Sequence, residues 1–266
     1  MTDTENEPRR LKSLQRATKL IETIEQLNGA RLVDLTKHVD LSKGSIHTQL
    51  ATLRDAGYIT KRGDEYQLGL RFVTLGEYVK GTQRVYEAAK NQVDRLAAET
   101  GEYADLVVEN EGLEVALKVA RGKRAMETEY HISVEETPQY LHNSSAGKAI
   151  LAHLPEDRVH EIIDKHGLNP RTPNTITDRD ALFDQLAVIR ERGYAVNDEE
   201  DIRGFRAVGA PILDIDSNPI GAISVSAPTS RLKGERFETE IPDRVMQATN
   251  VVEIDIDTSA HGRRTG

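Results

Sequence analysis

The chain has no cysteine and no tryptophan, only three methionines, and 5% aromatic residues in 266. Without cysteine there are no disulfides, thiolate zinc sites or cysteine nucleophiles. The core must be filled by Leu, Ile, Val and Ala, within a hydrophobic content of 38%. No apolar run approaches the about 18 residues that a membrane-spanning helix needs. The opening "MTDTENEPRR" has no apolar segment to serve as a secretory signal. It reads as a disordered arm over residues 1–9, and the expected location is the cytoplasm.

The charge is uneven. Between Arg9 and Leu70 eleven Lys and Arg stand against seven Asp and Glu, although the whole chain has a net charge of −9. A basic first module on an acidic body predicts a polyanion partner for that module. Arginine outnumbers lysine and acids are plentiful, which fits the solvated surface of a salt-adapted protein.

The first module is legible in detail. Leu14, Ala17, Leu20, Ile21, Ile24 and Leu27 repeat at the helical period and stop at Asn28–Gly29. A short helix fits Leu32 to Val39. "LSKGSIHTQLATLRDAGYI" then gives a third helix, with Ser42 as its cap and Gly57 as its stop. Ile46, Leu50 and Leu53 form its apolar stripe. Its other face carries Gly44, Ser45, His47, Thr48, Ala51 and Thr52, small polar residues almost free of acid. Tyr58–Lys61 and Tyr66–Leu68 alternate as a hairpin around Arg62–Gly63–Asp64. This order is a winged helix-turn-helix over residues 10–70.

A second helix of that kind lies in the major groove. Ser45, Thr48 and Thr52 are the expected base-edge readers, bordered by Lys43 and His47. Lys61 and Arg62 on the wing are expected at the DNA backbone, and Arg9, Arg10 and Lys12 as an arm near the minor groove.

Beyond Leu70 the pattern predicts a linker helix over 71–85, broken near Gly81, and a second helix to Glu99. An α+β domain over 86–255 should follow. "ETGEYADLVVEN" and "EGLEVALKVARG" read as a hairpin, and "AMETEYHIS" as a third strand. "SSAGKAILAHL" and "PEDRVHEIIDKHG" read as helices. "TDRDALFDQLAVIRERG" is an amphipathic helix with Thr177 as cap. "FRAVGAPILDID" and "SNPIGAISVSAP" form a hairpin, and a last helix covers about Gly234 to Val251. Residues 256–266 read as a flexible tail. In "AISVSAP", Ala222, Ser224 and Ser226 share one face, and Ile223 and Val225 the other. Buried hydroxyls need partners, in the backbone or in a ligand. A helix beginning at Ser145 and Ala146 offers free N–H groups to an anion.

"LQRATKLIETI…ARLVDLTKHVDLSKGSIHTQLATLRDAGYI" resembles the DNA-binding domain of IclR-family transcriptional regulators. "LHNSSAGKAILAHLP" and "GYAVNDEEDIRGFRAVGAPILDIDSNPIGAISVSAPTSRL" resemble the second domain of that family. The resemblance runs from about Arg10 to Val251. It implies a GAF-like effector domain, a small-metabolite effector such as an organic or sugar acid, dimers or tetramers, and a palindromic operator. By position it implies a pocket of Ser145, Ala146, Asn197, Asp198, Ala207, Ser224 and Ser226. Asn197 stands where the family often has an acid, Ala207 where it often has cysteine, and Thr48 where arginine is common.

Other motifs weigh less. "SAGK" (Ser145–Lys148) matches the S-x-x-K of serine acylases but lacks their S-D-N and K-T-G elements. "HNSSAGKA" fails as a phosphate loop. His160 and Asp164 make two metal ligands without a third. "DEED" (Asp198–Asp201) reads as a solvated loop. The expectation is a regulator that binds operator DNA and a metabolite, with no cofactor, catalytic residue or membrane partner. The alternative is a small-molecule enzyme with an accessory winged helix.

Overall fold

The computed structural model describes residues 10–125 and 139–262, with side chains to residue 258. Residues 1–9, with Arg9, and most of the predicted strand "AMETEYHIS" lie outside the described residues. The chain divides into two compact units, residues 1–82 and 83–266.

The first unit opens with α1 (Lys12–Gln26), β1 (Ala30–Arg31), α2 (Leu32–His38) and α3 (Lys43–Asp55). β2 (Ile59–Arg62), β3 (Glu65–Leu68) and α4 (Arg71–Thr82) complete it. Lys12 already belongs to α1, so the expected basic arm does not extend to it. Asn28 and Gly29 take positive φ and end α1, turning the chain into β1. β1 pairs with β3, so the wing has three strands in the order β1-β3-β2, not two. A strand of two residues has no alternation to read. Leu20, Ile24, Leu35, Ile46, Leu50, Ile59 and Tyr66 meet in one small core. Ser42 Oγ accepts the N–H of Ser45 at 3.3 Å and starts α3, while Gly57 at φ +78° ends it. α4 runs through Gly81, and the interruption falls at Gln83.

The second unit begins with α5 (Arg84–Thr100), stopped by Gly101. β4 (Tyr103–Asn110) turns through Glu111 and Gly112 into β5 (Leu113–Arg121). β6 (Gln139–Tyr140), a 3-10 turn, α6 (Ser145–Leu151), α7 (Glu156–His166) and α8 (Arg179–Arg192) follow. β7 (Ala195–Asp198), β8 (Phe205–Leu213), β9 (Pro219–Pro228) and α9 (Ile241–Gly262) close the chain. The six strands pair antiparallel throughout, in the order β6-β5-β4-β9-β8-β7.

Helices cover both faces of this sheet. Ile223, Val225 and Val208 pack with α5 and α9, and Ala222, Val107 and Ala195 with α6, α7 and α8. Two sequence expectations need correction here. Asp178, not Thr177, caps α8, its Oδ1 accepting the N–H of Ala181 at 2.9 Å. α6 begins at Ser145, as expected, with Ser144 as its cap. The last helix starts just after Gly234, as expected, with a π-helical turn over Arg236–Glu240 that runs directly into α9, but it passes well beyond Val251, because Val245, Val252 and Ile256 continue its apolar stripe onto the core. The tail expected from residue 256 is therefore helical as far as Gly262. Among the described residues, no helix is long and apolar enough to cross a membrane.

Candidate DNA interface and effector site

α3 buries Ile46 and Leu50 and turns the opposite face outward. Lys43, His47, Thr48 and Thr52 are exposed, and Ser45 is half-exposed. The hydroxyls of Thr48 and Thr52 donate to the carbonyls of Gly44 and Thr48, at 3.1 and 3.0 Å. Their outward chemistry is therefore a methyl group and an acceptor lone pair. Ser45 Oγ accepts from Gln49 Nε2 at 3.3 Å. Lys61 and Arg62 are exposed at the end of β2, with Lys61 Nζ 5.3 Å from the Tyr66 ring centre. Among the described residues, no ion pair involves Lys43, Lys61 or Arg62. All seven expected DNA-contacting residues thus lie on α3 and the wing of one unit.

In the second unit the register assembles six of the seven expected pocket residues. Asn197 pairs with Ala207, and Ala207 with Ser226, in one row across β7, β8 and β9. The next row joins Gly209, Ser224 and Asp105. Directly opposed residues share a face. α6 begins on this face, above Gly209. A Cβ on Gly209 would stand 2.7 Å from Ala146 N and 2.8 Å from Ser145 C. The missing side chain is what lets the helix start sit so close to the sheet. Ser145, Ala146, Asn197, Ala207, Ser224 and Ser226 are all buried there.

Asp198 does not join them. It alternates to the other face, where its carboxylate takes Arg206 Nε at 2.6 Å and Nη2 at 3.3 Å. Arg206 in turn lies over the Phe237 ring. Asn197 is also engaged in the fold, its Oδ1 accepting the N–H of Glu200 at 2.8 Å.

The structure adds residues that the sequence did not single out. Ser224 Oγ donates to Asp105 Oδ2 at 3.3 Å. Ser144 Oγ accepts the N–H of Gly147 at 2.8 Å and is hydrogen-bonded to Glu114 Oε2. Asn143 Nδ2 donates to Asp201 Oδ1 at 3.4 Å, and Arg171 Nε lies 3.3 Å from the same oxygen. Burial pushes the Glu114 carboxyl from 4.5 up to about 7; Ser144 opposes the shift, and the charges of Asp105 and Asp201 add to it. Burial likewise lowers His142, whose Nε2 lies 3.2 Å from the Asn169 carbonyl.

The "DEED" loop is not solvated. Glu200 and Asp201 are buried, and Lys148 Nζ reaches both oxygens of Glu200, at 2.5 and 2.6 Å. This pair occupies the lysine that an S-x-x-K nucleophile at Ser145 would need. His160 and Asp164 are both held by Arg179. Among the described residues, no three His, Cys, Asp or Glu side chains are arranged to hold a metal.

An acid-poor recognition helix with a basic wing, joined to a sheet unit with a buried polar site, is the build of a DNA-binding transcriptional regulator. The comparisons make this particular. Residues 13–63 match the IclR helix-turn-helix domain, and residues 76–253 the bacterial transcriptional regulator IclR C-terminal domain. The chain belongs to the IclR family of transcriptional regulators. It is 41% identical over 254 residues to a protein of Halobacterium salinarum named "Probable HTH-type transcriptional regulator ArcR", covering 95% of this chain and 97% of that one. The crystal structure of Thermotoga maritima IclR is similar with a TM-score of 0.76 at 24% identity, covering 93% and 99%. An IclR homologue from Microbacterium hydrocarbonoxydans, solved with 4-hydroxybenzoate, has a TM-score of 0.79 at 19% identity, covering 93% and 100%.

Proposed function

We propose that this regulator binds a double-stranded operator through α3 and the wing, and that a small metabolite held in the second unit sets its affinity. The face of α3 carries the reading. Thr48 and Thr52 present methyls and acceptors suited to thymine methyls and to adenine or cytosine amino groups. Lys43, Lys61 and Arg62 stand ready for phosphate, and among the described residues no carboxylate pairs with them.

Two chains act together in this reading. α4 buries no residue, and Leu70, Val73, Tyr78 and Val79 expose apolar surface. A second copy packed there would cover that surface and set two α3 helices for the half-sites of a palindrome. The effector acts by binding one arrangement of the dimer better than another. The pocket of Ser145, Ala146, Asn197, Ala207, Ser224 and Ser226 is its seat. No catalytic step is assigned, and the site of action is the cytoplasm.

Purified protein mixed with sheared DNA of the source organism, across a salt series, tests the reading. Sequencing should find a few palindromic upstream sites retained. Equal retention of all fragments, or of none at any salt where the chain is folded, would refute a specific operator.

A further inference from the structure

We propose that Gln49 is a further base reader on α3, taking an adenine in the major groove through both polar atoms of its amide. This rests on the reading that α3 lies in that groove, and it names the base at one position of the operator.

Gln49 stands on the border between the two faces of α3. One turn away on one side are Ile46 and Leu53, which belong to or pack against the core of the first unit. One turn away on the other are Ser45 and Thr52, of the outward face. Gln49 itself is half-buried. Its Nε2 donates to Ser45 Oγ at 3.3 Å, while its Oε1 is buried and has no hydrogen-bond donor. Among the described residues, no other buried side-chain oxygen or nitrogen of the first unit is left in that state. Such an acceptor has given up water and received nothing in exchange. A leucine or a methionine here would avoid that loss and suit the helix equally well. Stability of the free chain therefore does not account for the amide.

DNA supplies what is missing. Helical side chains lean towards the N-terminus, so the Gln49 amide lies over the turn of Ser45. The N-terminal residues of a recognition helix are those that meet base edges. Rotation about the side-chain bonds of Gln49 carries the amide outward past Ser45, where it presents one donor and one acceptor side by side. Adenine offers the complement in the major groove, an N6 amino donor beside the N7 acceptor. Oε1 takes the N6–H, Nε2 donates to N7, and Ser45 Oγ is freed for a contact of its own. Guanine offers two acceptors there, cytosine only a donor and thymine an acceptor beside a methyl, so none of them satisfies both atoms.

Selection from a pool of duplexes with a randomised centre tests this, with the full chain as parent and as Gln49→Leu. We expect the parent to select a motif with adenine at one fixed place in each half-site, preferred about ten- to hundredfold over other bases. The variant should select the rest of the motif and lose that preference. 7-Deazaadenine at that place, which lacks the N7 acceptor, should weaken binding by the parent and leave the variant unchanged. Melting curves check that the variant is folded, and Gln49→Met provides the same test if it is not.

The same adenine preference in parent and variant overturns the proposal, as does equal weakening of both by 7-deazaadenine. A motif that changes with Ser45→Ala and Thr52→Val but not with Gln49→Leu keeps α3 in the groove and discards only Gln49. A parent that selects no motif at all removes the operator reading, and this inference with it.

Discussion

Lys148 and Glu200 close a two-pronged ion pair inside the second unit, with side-chain exposures of 0% and 7%. Burial lowers the pKa of the lysine and raises that of the glutamate, and each partner pulls the other back towards its charged form. The pair joins α6 to the turn after β7, which Asn197 Oδ1 also holds. Removing one partner leaves an uncompensated buried charge, typically at a cost of about 3–5 kcal/mol. Lys148→Met should therefore destabilise the chain by that order. Adding Glu200→Leu should recover most of the loss. Urea unfolding of the two single variants, the double variant and the parent gives the coupling directly. Additive effects would mean that the two groups act independently.

Gly209 is a point of close approach between the sheet and α6. A methyl there meets backbone atoms at 2.7 and 2.8 Å, which no side-chain rotation relieves. Gly209→Ala should shift the start of α6, cost about 1–3 kcal/mol, and abolish the response to effector. Operator binding by the first unit should remain. Retained effector response with unchanged stability would show that α6 moves freely over the sheet.

Much of this was legible in the sequence, for physical reasons. α5, α8 and α3 announce themselves by period, and the β8–β9 hairpin by alternation around the Ser217–Asn218 turn. The face shared by Ala222, Ser224 and Ser226 follows from the geometry of any strand. β1 and β6, two residues each, have no period to detect. The buried acids were missed because acids near turns look like surface. Glu200 is made internal by Lys148, 52 positions earlier, and Glu114 is covered by Ser144, 30 positions later. One signal was available. Asp105 interrupts the otherwise apolar run from Tyr103 to Val108, and an acid in a fully buried strand is rare enough to mark a site.

If the wing meets phosphate and α3 meets the base edges, as proposed, variants separate affinity from specificity. Lys61 and Arg62 end β2, next to the hairpin turn. Replacing both by Ala should weaken binding to all DNA and reduce the slope of log K against log salt by about one for each phosphate the pair neutralises. Thr48→Ser should do the opposite. It keeps the acceptor and removes the methyl, so the ratio of specific to non-specific binding should fall while the salt slope holds. Titrations with operator and scrambled duplexes at four salt concentrations measure both. An unchanged slope in the wing variant would place those bases off the phosphates.

Glu114 gives the fold a pH dependence whose sign can be worked out. Its carboxyl keeps its proton up to about pH 7 in the native state, against 4.5 ordinarily. Between those values the unfolded chain has released the proton and the folded chain has not. Stability from this group is therefore lost as pH rises from 4.5 towards 7, by about 3 kcal/mol in all. Glu114→Gln cannot titrate and should escape the loss. Unfolding midpoints of parent and variant should lie close together at pH 4.5 and diverge by pH 8, with the variant more stable. A structural carboxylate would behave in the reverse way, its amide variant being the weaker protein at pH 8. Parallel profiles would show instead that Glu114 is already ionised in the folded chain at neutral pH.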